Sequence, residues 1–425
     1  GGWSEGGDGY NNSRSNSGEV YLYSFTDSSF SGATLEAMIG DGYTGGKNIN
    51  QSLGTSDLFG TGVSLDGNRL VVGAWRGDGS GNSRNDSGDV YLYTFSDSAF
   101  SGGALAGMIG HGYSGGKNIN QTLDSGDLFG YSVSLDGNRL AVGSYSGDGH
   151  KNQQSMSGEV RLYTFTDSVF SGGALAATIG DGYTGGKNFN QDLDNRDVFS
   201  SVSLDGNRLV VGARWAGGNN NSHGSSGDVY LFTFSDSAFS NPTLAGKIGK
   251  GYTGGKNIDH PLDVGDNNGV SVSLDGNMLA VGCFACDGQN NSKSTSGQVF
   301  IYTFTDSVFS GGQLDATIGD GFTGGKNVNQ SLEASDRFGW NVALDNNRLV
   351  VNARFGDGNN NSLSNSGDVY LYTTAAAGDA VSSAVFATNS SSNSTITPNA
   401  ITTLLSAATN VVLQANNDIT VSEAI

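Results

Sequence analysis

Proline occurs only 3 times in 425 residues, although glycine occurs 68 times. No Gly-X-Y period accompanies the glycine, so collagen and proline-rich disorder are excluded and many tight turns are expected instead. Cysteine is almost missing. Cys283 and Cys286 are too few for a disulfide framework, and a lone C-x-x-C falls short of the four ligands of a structural zinc site. Cys283 stands where other units carry Ala74, Ser144, Ala213 and Ala353, and reads as a small residue packed at a strand end. Positive charge is scarce as well. With 21 Lys and Arg against 41 Asp and Glu, the net charge of −20 opposes phosphate backbones and anionic membrane surfaces, so neither nucleic acid nor membrane insertion is expected. No run of 18 apolar residues is present to span a bilayer. Initiator methionine and signal peptide are also lacking. Gly1-Gly2-Trp3 aligns with Gly73-Ala74-Trp75, so residue 1 reads as lying inside a repeat of a longer polypeptide, with any export signal upstream.

What is present is a repeat. The segment S-G-[DEQ]-V begins at Ser17, Ser87, Ser157, Ser226, Ser296 and Ser366, with spacings of 70, 70, 69, 70 and 70 residues. Near Phe199-Ser200-Ser201 one residue is deleted relative to Phe129-Gly130-Tyr131-Ser132, which accounts for the single short step. Each unit reads as four strands. Leu128 to Leu135 alternates bulky with small residues, and the small face suits crowding near an axis. Asp136-Gly137-Asn138 predicts a hairpin into Arg139 to Gly143. After a long polar loop, Gly158 to Phe165 is apolar on both faces, as a strand sandwiched between sheets should be, and Leu175 to Ile179 is the fourth and weakest strand. Four antiparallel strands at a fixed period predict an all-β propeller, each unit burying its faces against its neighbours. The third strand recurs six times, the first and second five times each, so about six blades are expected, with five to seven as the range. The strands missing from the opening blade, and room for a seventh blade, are expected upstream of residue 1.

Leu128-Phe129-Gly130-Tyr131-Ser132-Val133, then Leu140-Ala141-Val142-Gly143, then Gly158-Glu159-Val160-Arg161-Leu162-Tyr163 resembles the FG-GAP repeat of integrin-alpha-type propellers. The resemblance covers most of residues 1 to 375 and implies an extracellular adhesion or ligand-binding head. Two units depart from it, with Asn268-Gly269 and Phe199-Ser200 in place of Phe-Gly. The family's calcium loop between the first two strands is replaced by a short turn such as Asp66-Gly67-Asn68. From Thr374 the chain turns rich in Ala, Ser, Thr and Asn. Its segment from Asn410 to Val421 resembles the repeats of filamentous-haemagglutinin-type secreted adhesins, which implies the start of a β-helix or stalk. The expected division is a propeller over 1–388, completed by a fourth strand over Val381 to Thr388, and a linker and stalk over 389–425.

The near-uniformity of the units argues against an enzyme, because a catalytic constellation needs one unit that departs sharply from the rest. His111, His150, His223 and His260 fall at unrelated repeat positions and read as surface loop residues. The loop between the second and third strands is the better binding candidate. It carries Asp8, Asp78, Asp148, Asp287 and Asp357 at one repeat position, followed by Asn- and Ser-rich stretches. Such oxygen donors suit Ca²⁺, the possible cofactor, and they equally suit turns braced by their own side chains. Gly217 replaces the Asp in one unit. Lys47, Lys117, Lys187, Lys256 and Lys326 recur ten residues before Asp57, Asp127, Asp197, Asp266 and Asp336, as an inter-unit ion pair or an exposed one would. Trp75, Tyr145, Trp215, Phe284 and Phe355 follow the second strand, either as a sugar-stacking ring or as packing at the rim. The expected role is a non-enzymatic structural or adhesive module of a secreted or cell-surface protein. Its partner is a protein or glycan surface, or further copies of itself, with a lectin-like propeller as the alternative and a secreted hydrolase behind both.

Overall fold

The computed structural model describes residues 7–346, 348–358, 361 and 364–373. Six β-sheets follow one another along the chain, over 19–50, 59–121, 129–190, 199–259, 268–329 and 338–373, and make the six blades of a propeller. The third blade shows the plan. Phe129–Asp136, Arg139–Ser144, Glu159–Thr164 and Ala174–Gly180 form consecutive antiparallel neighbours. The expected four strands are therefore present, but the first begins at Phe129 because Leu128 adopts a left-handed backbone with φ of 57°. A fifth strand, Phe189–Asn190, adds in parallel to the fourth. Its two residues carry no alternation to read. It is held by the Asn after the recurrent lysine, since Asn188 Oδ1 accepts the Thr178 amide at 2.8 Å.

The innermost strand of each blade has one edge left without a sheet partner, and the small residues seen in the sequence satisfy it. Ser64 Oγ accepts the Leu135 amide of the next blade, Ser134 the Leu204 amide, Ser203 the Leu274 amide and Ser273 the Leu344 amide, at 2.8–2.9 Å. The Asp of three tight turns does the same: Asp66 accepts from Gly137 and Asp136 from Gly206, both at 2.9 Å, and Asp275 from Asn346 at 2.6 Å. Packing between blades explains the Val-Gly pair. A Cβ on Gly73, Gly143, Gly212 or Gly282 would lie 1.9–2.0 Å from a carbonyl oxygen of the following blade, at Gly130, Ser200, Gly269 or Gly339. Phe59, Phe129, Phe199 and Phe338 fill the space between the sheets and are fully buried or nearly so, each contributing about 2–3 kcal/mol of burial.

One junction differs. In the sixth blade Asn341 and Ala343 stand at the Ser positions and Asn352 at the Val-Gly glycine, and Asn352 Oδ1 accepts the amide of Asn341 at 2.6 Å. The first blade begins at its third strand, Glu19–Ser24, so Tyr21 and Tyr23 are 45% and 50% exposed where Tyr91 and Tyr93 are 3% and 0%. Arg348 lies over Phe30 at 5.9 Å, repeating the blade-to-blade contacts of Arg69 over Phe170 at 5.7 Å and Arg139 over Phe239 at 5.8 Å. The sixth blade thus neighbours the first. The expected closing strand over 381–388 and the adhesin-like tail lie outside the described residues. Among those residues no helix is long and apolar enough to cross a membrane.

Candidate functional site

The first strands line an axial channel of about 640 Å³, with Tyr131 and Trp340 near their starts and Leu135, Leu204 and Leu344 towards their ends. Around Tyr131 and Trp340 the blade loops build an aromatic cup. Trp75 packs edge-on against Tyr131 and Tyr145 at 5.8 and 6.1 Å, and Tyr145 against Trp215 at 5.9 Å. Phe284 lies 4.4 Å from Trp340. Three arginines enter this cup: the guanidinium of Arg354 is 4.6 Å, that of Arg337 5.8 Å and that of Arg214 6.0 Å from the Trp340 ring centre.

Sequence reasoning missed Arg214 and Arg354 by one position of register. The structure aligns Arg214 and Arg354 with Trp75, Tyr145 and Phe284, two residues past the Val-Gly glycine, while Trp215 and Phe355 come one residue later. Arg337 takes the position of Leu58, Leu128 and Val198, just before the Phe-Gly pair, where apolar side chains pack in three other blades. Strict counting from the glycine would have exposed the exchange. Arg214 is only 7% exposed; its Nη1 donates to Tyr131 Oη at 3.2 Å and its Nη2 to Tyr145 Oη at 2.6 Å. Its Nε, and that of Arg337, are buried without a hydrogen-bond partner among the described residues. Burial, then the positive fields of Arg337 and Arg214, push the Arg354 guanidinium down to about 10. Burial lowers Arg337 as well. Neither Arg214 nor Arg337 has a carboxylate partner among the described residues, although the chain carries 41 acidic side chains.

The recurrent acids do other work. Asp8, Asp78, Asp148, Asp287 and Asp357 each accept, through Oδ1, the backbone amide eight residues on, at 2.6–2.8 Å. The accepting amides belong to Asn16, Asp86, Met156, Thr295 and Asn365, whose φ values of 49–55° need such bracing. These aspartates are distributed one to a loop. Among the described residues the one trio of His, Cys, Asp or Glu ligand atoms within 4.8 Å of one another is that of Asp266, Cys283 and Cys286, which includes none of the loop aspartates. The expected lysine–aspartate ion pair is replaced by two separate contacts. Lys47 and Lys187 donate to the carbonyls of Ala99 and Ala238 in the next blade at 2.6 Å, and Lys117 and Lys256 reach the equivalent carbonyls of Val169 and Val308. Asp57 instead accepts the amide of Gly54 at 2.6 Å, and burial raises its carboxyl to about 6.

Two further readings change. Cys283 is buried at the end of the fifth blade's second strand, as expected of a small packed residue, but it is joined to Cys286 by a disulfide that the sequence reading did not expect. His260 is 5% exposed, not a surface loop residue. It stands in place of Gln51, Gln121, Gln191 and Gln330, and its Nδ1 meets Tyr302 Oη at 2.7 Å as Gln51 Oε1 meets Tyr93. The same blade has Asn268 for the Phe, and the His260 ring, 4.1 Å from Phe300, packs where Phe59 packs on Tyr91 in the second blade. Burial depresses this imidazole to about 4.

A six-bladed β-propeller with an aromatic cup at one end of its channel belongs, by architecture, among repeat propellers that carry their variable residues on loops. Residues 53–93, 123–163, 190–232 and 331–372 match the FG-GAP repeat, so this chain carries four recognised copies of it. No curated protein matches the chain.

Proposed function

We propose that the chain is a non-catalytic, extracellular adhesion-type propeller, binding a surface, matrix or partner protein through its loops. The observation that carries this reading is the contrast between a braced frame and varied decoration. Most blades repeat the same Asp, Ser and Lys contacts, while the loop-end positions change from Trp75 to Tyr145, Arg214, Phe284 and Arg354. The match to the FG-GAP repeat, whose propellers are typical of cell-surface proteins, supports the same role. A glycan-binding variant of the reading is favoured specifically by the aromatic rings of the cup. The test is saturable retention of the labelled full chain on immobilised matrix proteins, glycans and whole cells. Failure to bind any of them, or a hydrolytic activity abolished by one substitution, overturns it.

A further inference from the structure

In the fourth blade a cavity stands where the other blades place a contact of their own. Asp8, Asp78, Asp148, Asp287 and Asp357 each accept the amide eight residues on, but Gly217 has no carboxylate to offer. The corresponding amide, that of Ser225, has no acceptor among the described residues, although Ser225 keeps the same left-handed backbone with φ of 55°. The resulting space is a cavity of about 360 Å³, lined by Gly217, Ser225, Asn221, Arg196, Asp197 and Trp215. In the second, fifth and sixth blades the negative field of the loop aspartate reaches the recurrent acid, Asp57, Asp266 or Asp336, so the equivalent space there holds a carboxylate of the chain itself.

The same unit differs at a second position. Arg196 stands where the other units carry Ser56, Gly126, Gly265 and Ser335. Its side chain is exposed and makes no ion pair among the described residues, whereas Arg84 reaches Asp124 at 3.8 Å. Compared with its sister loops, this one has lost a carboxylate and gained a guanidinium around one cavity. Two acids remain beside it and both are engaged: Asp194 Oδ2 accepts Asn221 Nδ2, and Asp197 Oδ2 accepts the Asp194 amide at 2.9 Å. The fifth blade holds Asp287 near the equivalent pair, Asp263 and Asp266, with Gly265 in place of the arginine, so such a pair tolerates a further carboxylate.

We propose that this cavity binds an aspartyl side chain of a partner polypeptide, its carboxylate accepting the Ser225 amide and pairing with Arg196. The chemistry is that of the sister loops, supplied from outside: a carboxylate on a single methylene, meeting a backbone amide held at positive φ, with a guanidinium to match its charge. The cavity exceeds one such side chain, which leaves room for flanking peptide against the half-buried ring of Trp215. An asparaginyl side chain offers the acceptor without the charge. A small anion offers the charge without the flanking contacts.

This assignment rests on the binding role proposed above, and separate measurements test the two. Calorimetry and the amide resonance of Ser225 in the full chain would follow titration with a capped Ala-Asp-Ala peptide, its Ala-Asn-Ala counterpart, galacturonate and sodium acetate. Saturable binding of the aspartyl peptide at least about tenfold tighter than that of the other three is expected, weakening between about 0.05 and about 0.5 M NaCl and shifting the Ser225 resonance. Gly217→Asp, which gives this loop the residue of its sisters, should abolish that binding without lowering the melting temperature. Its new Cβ would lie 3.1 Å from the Asn221 Cα, a neighbour that the sister loops also place beside their aspartates as Asn12, Asn82, Asn152 and Asn291. Arg196→Gly suits the φ of 70° at that position and should lose at least about tenfold in affinity with an unchanged melting curve. If Gly217→Asp misfolds, Arg196→Gly decides alone. Equal binding of the asparaginyl peptide or acetate, or aspartyl binding that survives either folded variant, overturns the proposal. Tighter binding of galacturonate overturns the peptide assignment. Surface retention that persists in Gly217→Asp sinks this cavity as the contact while leaving the adhesive role standing, whereas aspartyl binding without any surface retention does the reverse.

Discussion

The junctions among blades two to six and the junction from blade six to blade one share the Arg-over-Phe contact of the repeat, yet they differ at the glycine and serine positions that face a neighbour. At the former, a bare glycine lies against the next blade's backbone and Ser Oγ atoms cap its amides. At the latter, Asn352 and Asn341 bond to each other, and Tyr21 and Tyr23 face solvent. The glycine and serine positions are therefore specified by the neighbouring blade, not by the fold of their own.

The strongest test of that difference is steric. Gly143→Ala forces a methyl to 1.9 Å from the Ser200 carbonyl, and backbone must shift to make room. A loss of about 3 kcal/mol is expected from denaturant midpoints at constant slope, against less than about 0.5 kcal/mol for Asn352→Gly. Equal losses would show that the two junctions are packed alike.

A smaller effect comes from buried acids. Asp228 is held by Tyr252 Oη at 2.8 Å, and burial raises its carboxyl to about 6. The folded state therefore holds this proton more tightly than the unfolded chain. Stability from it is fully present below the unfolded value near 4 and is lost as pH rises through about 6. Asp228→Asn should flatten stability over that window by on the order of 2 kcal/mol. Asp368, at the equivalent site beside the open junction, is less buried, so Asp368→Asn should flatten it less. Melting curves collected from pH 4 to 8 would decide, and identical profiles for the two variants would break the comparison.

The smallest expected effect is that of chelation. Because Asp8, Asp78, Asp148, Asp287 and Asp357 already spend Oδ1 on backbone amides, excess chelator should leave the melting temperature unchanged at both kinds of junction. A lowered melting temperature would restore Ca²⁺ to these loops.

The blades were legible in the sequence because strand alternation and Asp-Gly turns are local signals. The third strands recur six times and the first and second strands five times, as the residues imply. The cup was not legible, since it depends on Arg214 and Arg337 entering positions that other units fill with Tyr145 and Leu128, and a slipped register hides the first of them. Nor was the burial of His260, which takes a position that buries Gln51, Gln121 and Gln191 in other blades, and whose ring meets Phe300 and Tyr302 only in the fold.

The serine caps have a direction. Blades two to five supply hydroxyl acceptors on one flank and blades three to six receive them on the other, so the contact is not self-complementary. A unit copied whole inherits both halves of that contact and can be spliced between any two existing units without a new interface having to evolve. Circumference can then change by duplication alone. Asn341, Ala343 and Asn352 of the sixth blade depart from that pattern.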